Sequence, residues 1–307
     1  MHLLPDLQSS MTEKEACILP WVGLERVFLP VRLTQKDVSQ LAMFSVGVNL
    51  ASRYQRGIHM SRLYQVLEDF VTKRALLDPI VGYFDLHKKI LESHVGLSDA
   101  AEIMCHGYFS WEDQTLKSGL KTMRSFPVTV GVLGSLENSF FHLIFQICYS
   151  STCPQSFALS EAIIQSHLRT SVDGWKQRNK QDTLMVDGAL VATPHSQRSL
   201  GWIKLVWERT QLTSWLADRS LVTWQEFVLI LVKAIENEIV TVSQNTVKRE
   251  DEAEFAKLNA QNPMFCEDAA RRIAGVLKKM QVPQFHGEVV HYESLHPFNV
   301  RAAFGSE

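Results

Sequence analysis

The chain has 307 residues, 46% of them hydrophobic and 21% charged, with a formal net charge of −2. Such a length buries a sizeable core, in two domains or one large one, and the near-neutral charge excludes a global basic field for nucleic acid or anionic membrane. An anionic ligand has to be held by a local patch.

The longest aliphatic and aromatic run, "FVLILV" at 227–232, is far short of the roughly 20 residues that span a bilayer. The N-terminus lacks a signal-peptide pattern. The 5 cysteines have no CxxC spacing, which suits reduced thiols, so a cytoplasmic location is expected.

Period-two alternation over 26–33 (Val27, Leu29, Val31, Leu33) and 44–52 (Phe44, Val46, Val48, Leu50) predicts two antiparallel strands. The stretch "RGIHMSRL", 56–63, then crowds Arg56, His59, Ser61 and Arg62 around Gly57 ahead of an apolar helix. Unpaired N–H groups and a partial positive charge at a helix start suit phosphate, so this cluster is a candidate phosphate grip. A solvated helix start is the plainer alternative. Helical periodicity predicts helices at 62–75, 80–93 and 98–120, and alternation returns at 126–134 and 139–151.

The second half repeats the order, with a strand at 199–208, helices, and a strand at 284–294. Thr223 and Glu226 have capping-box spacing, and Asn262 with Pro263 predicts a helix start that closes on Lys278 and Lys279. The polar, aperiodic 169–190 is expected to be a surface insertion. The fold class is therefore α+β, in two similar modules: 1–125, with strands to about 150 shared at the junction, and 126–307.

Candidate chemistry lies mostly in the second module. Cys153, in "YSSTCPQS", falls at a strand-to-helix corner, where a thiol loses its proton more readily, although free cysteines are commonly small buried hydrophobes. His195 sits in a polar turn before a strand, whereas His142 lies inside an apolar strand and is expected to be a core histidine with its hydrogen bonds satisfied. Lys248, Arg249, Glu250, Asp251 and Glu252 form a mixed charge run, and Glu293 and His296 are spaced to converge past the last predicted strand. Glu267 aligns with Ala270 and Ala274 rather than with the apolar stripe of its helix. Cysteine, histidine and carboxylate together suit a divalent transition ion, in an open site rather than a zinc finger.

In order, the segments "LPDLQ", "LPWVGLERVFLPV", "RGIHMSRL", "STCPQS", "PHSQRS", "VKREDEAEF", "NPMFCEDAARRI" and "ESLHP" closely resemble GTP cyclohydrolase type IB, over nearly the whole chain. That prokaryotic family opens GTP to dihydroneopterin triphosphate. The resemblance implies the tunnelling fold: two tandem ββααββ modules, antiparallel sheets with helices on one face, and a barrel completed by oligomerisation, as a homotetramer with sites at subunit interfaces.

It also implies roles. Cys153 and His195 would be metal ligands, joined by His296 and a carboxylate, Glu252 as first choice and Glu293 as second. Glu267 would anchor the N–H edge of guanine, and Arg56, His59, Ser61, Arg62, Lys248 and Arg249 would hold the triphosphate. The ion would be manganese, zinc or iron, and would lower the pKa of bound water from about 16 towards about 7 for attack on C8. His195 and His59 would shuttle protons. The product would feed tetrahydrofolate or a queuosine precursor.

Two departures bear on tuning around the ion: Gln155 stands where many relatives carry a second cysteine, and Phe298 where a second histidine commonly follows. Two other readings are a tunnelling-fold enzyme with Cys153 as covalent nucleophile, and a non-catalytic purine-binding paralogue.

Overall fold

The computed structural model describes residues 17–31, 40–73, 79–178, 192–221 and 223–306. Eight strands form one antiparallel sheet in which each strand pairs with the next in sequence, from β1 to β8. They are β1 (Leu19–Val31), β2 (Gln40–Leu50), β3 (Ala101–Gln114), β4 (Lys121–Gly134), β5 (Ser139–Thr152), β6 (Ser196–Glu208), β7 (Gln284–His291) and β8 (Val300–Gly305). Seven helices occur among the described residues: α1 (Met60–Lys73), α2 (Pro79–Glu92), α3 (Pro154–Arg178), α4 (Arg209–Ala217), α5 (Trp224–Ile239), α6 (Arg249–Gln261) and α7 (Cys266–Lys279). None of them is long and apolar enough to cross a membrane.

Alternation decides which face is covered. Val46 and Val48 of β2, Ile103 of β3, Val132 of β4, Phe141 and Leu143 of β5, and Leu205 and Trp207 of β6 are buried in one core with the helices. The opposite face carries Tyr108 and Trp202, which are 62% and 40% exposed. Across the covered face runs α5, which buries Phe227, Val228, Leu231, Val232, Ile235 and Ile239. Phe227 meets Trp207 at 5.6 Å and Trp215 at 5.7 Å between ring centroids. Truncating Trp207 to alanine is expected to cost about 3–5 kcal/mol.

The strand order also gives the sheet two distinct ends. Leu50, the start of β3, Gly134, Ser139, Glu208 and Gln284 share one end, through Val48↔Ala101, Ala101↔Gly134, Gly134↔Ser139, Phe140↔Glu208 and Val206↔Gln284. Thr152, Ser196, His291 and Val300 share the other, through Thr152↔Ser196, Ser199↔His291 and His291↔Val300. Towards that second end the sheet forks. Pairing of β4 with β5 stops at Val128↔Phe145, and residues 241–243 take over the free edge of β5, with Ser150 N donating to Thr241 O and Ser243 N to Cys148 O. This brings α6 towards the end of β5.

Several expectations change. The segment 98–120 is not a helix but contains β3, which ladders with β4 from Ala101↔Gly134 to Gln114↔Lys121. Ala101, Ile103, Cys105, Phe109 and Trp111 share its buried side, and the two flanking ladders override the helix propensity of Glu102 and Met104. The polar 169–190 is not wholly a loop: α3 continues to Arg178, and 179–190 lie outside the described residues. Asn262 does not cap the start of α7. It ends α6, its Nδ2 donating to Ile239 O and its Oδ1 accepting from Arg272, while α7 starts at Cys266 with Asp268 Oδ2 accepting from Phe265 N. The capping box of α5 forms as expected, Thr223 Oγ1 accepting from Glu226 N. The first strand begins earlier, at Leu19, and 32–33 lie outside the described residues, as do 74–75 of the first predicted helix. The 125/126 division falls within β4, and β8 is an additional strand.

Candidate functional site

Three chain segments meet at the second end of the sheet. Cys153 follows β5 directly and precedes Pro154, the first residue of α3, so the backbone turns from strand to helix at the thiol. Its N–H donates to the carbonyl of His195, at 3.2 Å. His195 lies one residue before β6, and its own N–H donates to Ser156 Oγ in the first turn of α3. Two backbone contacts therefore tie these segments together. Glu293 arrives from the end of β7, and its Oε2 lies 3.8 Å from His195 Nδ1. Between them stands Gln197, with Oε1 3.1 Å from His195 Nδ1 and Nε2 3.4 Å from Glu293 Oε1.

Helix α6 borders the same end. Asp251 in its first turn is fully buried and accepts from Lys117 N, Ser118 N and Ser118 Oγ of the β3–β4 turn, and from Lys248 N. Burial pushes its carboxyl upward, but these donors together outweigh that and hold it far below the usual carboxylate range. Asn259, two turns on, lies 3.5 Å from Thr152 Oγ1 beside Cys153. Lys248, Arg249 and Glu252 are exposed around this pinned turn.

Below Glu293 lies a buried polar row. His291 is flanked by Tyr149 Oη and Ser151 Oγ, each at 3.1 Å, and Ser151 in turn meets Ser199 at 2.9 Å. Burial lowers the His291 pKa to about 4, partly opposed by the charge of Glu267. Glu267 itself stands exposed in the first turn of α7, and Met264 N, just ahead of that helix, donates to Thr152 O. Thus Glu267 is carried to the end of the sheet that holds Cys153.

The structure does not bring everything together. His296 stands exposed in the loop between β7 and β8, stacked on Phe298 with ring centroids 5.0 Å apart. Gln155 is exposed. Among the described residues of this single chain, no three His, Cys, Asp or Glu side chains converge closely enough to hold a metal ion. Arg56, His59, Ser61 and Arg62 lie at the opposite end of the sheet, after β2, where Arg62 Nη1 donates to Ser93 O. His142 is buried in β5 as expected for a core residue, but its Nδ1 has no hydrogen-bond partner.

The same architecture occurs in a known enzyme: uricase from Arthrobacter globiformis superposes with a TM-score of 0.51 over 94% of this chain and 94% of that one, at 7% sequence identity. The model of the family described as type I GTP cyclohydrolase folE2 matches residues 4–302. The chain belongs to this family. Its relatives include GTP cyclohydrolase FolE2 of Pseudoalteromonas translucida (strain TAC 125), 33% identical over 97% of this chain and 96% of that one. GTP cyclohydrolase FolE2 of Klebsiella pneumoniae is 36% identical over 98% and 96%.

Within this type I GTP cyclohydrolase chain, sequence reasoning passed over Gln197, Ser156 and Asn259, and named Asp251 only as one acid of a charge run. Gln197 and Ser156 sit inside the quoted segments "PHSQRS" and "STCPQS", and Asp251 is the middle acid of "KREDE". Alternation was the available signal for Gln197, which shares a strand face with buried Ser199.

Proposed function

We propose that the chain is a GTP cyclohydrolase, hydrolysing GTP to 7,8-dihydroneopterin triphosphate and formate as the first step towards tetrahydrofolate. The observation that carries this reading is the meeting of Cys153, His195 and Glu293 from three separate segments at one end of the sheet.

The donor chemistry fits a divalent transition ion, since a soft sulfur, an imidazole and a hard carboxylate share that end. Cys153 and His195 would hold manganese, zinc or iron, with His296 brought in from its exposed loop. Glu252 would supply the carboxylate, while Glu293, beside Nδ1 of His195, would stand behind the ring as its outer partner. Bound there, the ion supplies Lewis acidity for hydrolytic addition at C8. Glu267 accepts from the two N–H donors on the guanine edge, a charge-assisted pair that adenine cannot offer. His195 and His59 carry protons as the C–N bonds to C8 are broken and formate leaves.

The triphosphate grip comes from another subunit in this reading. Arg56, His59, Ser61 and Arg62 follow β2, at the end of the sheet where β5 begins, whereas Cys153 follows the end of β5. At about 3.3 Å per residue the 14 residues of β5 span roughly 45 Å, far longer than a nucleoside triphosphate. A homotetramer with two modules per chain, Leu19–Gly134 in the order ββααββ and Ser139–Gly305 with the four helices α4–α7 between its strand pairs, brings the two ends together while the open edges β1 and β8 close a barrel. In this arrangement α3 is an insertion between the first two strands of the second module.

The test is direct. Purified protein is incubated with GTP, with and without chelator and with added manganese or zinc, and formate and pterin fluorescence are followed. Absence of both products under every condition refutes the activity.

A further inference from the structure

We infer that Gln197 is a positioning residue that decides which nitrogen of His195 is bare. The inference rests on the reading of His195 as a working imidazole and deepens it, since it concerns the state in which that ring is presented.

Gln197 is 7% exposed and its amide lies between two groups, Glu293 Oε1 at 3.4 Å and His195 Nδ1 at 3.1 Å. An ionised carboxylate only accepts, so it selects the NH₂ side of the amide. The amide carbonyl is thereby turned to His195, and because a carbonyl also only accepts, Nδ1 must be the nitrogen that carries hydrogen. In a neutral imidazole this leaves the Nε2 lone pair free. The opposite amide orientation would set a carbonyl oxygen against a carboxylate oxygen.

Glu293 Oε2, 3.8 Å from Nδ1, adds a second acceptor near the same nitrogen. The His195 backbone is held from both sides, its N–H on Ser156 Oγ and its C=O on the Cys153 N–H, so the ring works from a fixed root. One acid therefore sets a tautomer two side chains away. The arrangement is the one an imidazole needs to offer Nε2 to an ion or a proton, with the other ring nitrogen donating to an outer partner.

The tautomer is readable without activity. Full-length protein labelled with ¹⁵N-histidine is studied by long-range ¹H–¹⁵N correlation at pH 8, as purified and after chelation, with His195→Gln assigning the signal. Wild type and Gln197→Glu, which keeps an acceptor for Nδ1, are expected to show His195 protonated on Nδ1. Gln197→Met, similar in length but without acceptor or donor, is expected to move the proton towards Nε2. Zn²⁺ titration by calorimetry is expected to weaken about 10–100-fold in Gln197→Met and less in Gln197→Glu.

A wild-type proton on Nε2 overturns the inference, and so does a folded Gln197→Met that keeps Nδ1–H. Should Gln197→Met fail to fold, the wild-type signal decides alone. A wild type that shows Nδ1–H but neither binds zinc nor turns over GTP removes the proposed activity while the tautomer assignment stands.

Discussion

Arg62 and Cys153 sit at opposite ends of one continuous sheet, Arg62 in the first turn of the helix after β2 and Cys153 at the far end of β5. A residue pair so separated can serve one nucleotide only if two chains supply it. Two inactive variants, Arg56→Ala/Arg62→Ala and Cys153→Ala, are therefore expected to regain GTP turnover when co-expressed in one oligomer, because mixed sites receive an intact grip from one chain and an intact thiol from the other. Formate release by the mixed oligomer against each parent measures this. A mixed oligomer as inactive as its parents would place both groups in the same chain's site.

Arg62→Ala alone is expected to weaken binding of GTP more than of guanosine, since only the former carries the phosphates. Its guanidinium also holds Ser93 O, so a structural contribution should lower both affinities equally. Calorimetric titration of the two ligands separates these outcomes.

Glu267 stands exposed at the start of α7, where its carboxylate can meet a ligand's donors. Glu267→Gln replaces a charge-assisted acceptor by a neutral amide. Hydrogen bonds to charged groups are worth about 1.5–3 kcal/mol, so kcat/KM for GTP is expected to fall roughly 10- to 150-fold. Steady-state kinetics with GTP and ATP check both the fall and the loss of base preference. An unchanged GTP value would remove Glu267 from the base pocket.

How much of this was legible in the sequence varies with the physics of each segment. Strands with one buried face, such as β2 and β5, announce themselves through Phe44, Val46 and Val48, or Phe141, Leu143 and Phe145. Strand β3 carries the same alternation in Ala101, Ile103 and Cys105, but Met104 and Tyr108 on its other face add apolar positions at helical spacing and mask it. In α3 the continuation from 169 to 178 carries no apolar stripe, so periodicity cannot report it. Strand β8, with Arg301, Ala302 and Ala303, has weak strand propensity and exists through its ladder with β7.

The site followed the same rule. Cys153 and His195 stood out as candidates because residue type and turn position carry chemistry by themselves. Gln197 did not, and Asp251 stood out only as one acid of a charge run, because their contacts are with partners distant in sequence: Glu293 lies 96 residues from Gln197, and Ser118 lies 133 from Asp251.

Asp251 ties α6 to the β3–β4 turn through three accepted hydrogen bonds and accepts a fourth from Lys248 N at the start of its own helix. Asp251→Asn is expected to lower the melting temperature at pH 7, because the amide cannot accept on both of its atoms. The pKa of Asp251 is depressed on folding, so its contribution is present above the usual carboxylate value and is lost as pH falls below it. Thermal melts of variant and wild type between pH 7 and pH 3 should therefore converge towards the acid end. A gap that widens with acid would contradict the assignment.

His142 gives the last prediction, of opposite character. It is 6% exposed, its Nδ1 has no partner, and burial, assisted by Lys204 and His286, lowers its pKa to about 4. Between its ordinary value of 6.5 and that lowered one, the unfolded chain binds a proton that the folded chain refuses, so stability is lost as pH falls through this window. His291, lowered to about 4 by burial, adds to the same loss, but its ring is held by Tyr149 and Ser151. Replacing His142 by leucine removes one proton-binding group and one unsatisfied buried atom without breaking a hydrogen bond to Nδ1. His142→Leu should therefore raise the melting temperature more at pH 5 than at pH 8, measured by calorimetry on the assembled protein. An equal shift at both values would mean that His142 is protonated in the folded chain at pH 5.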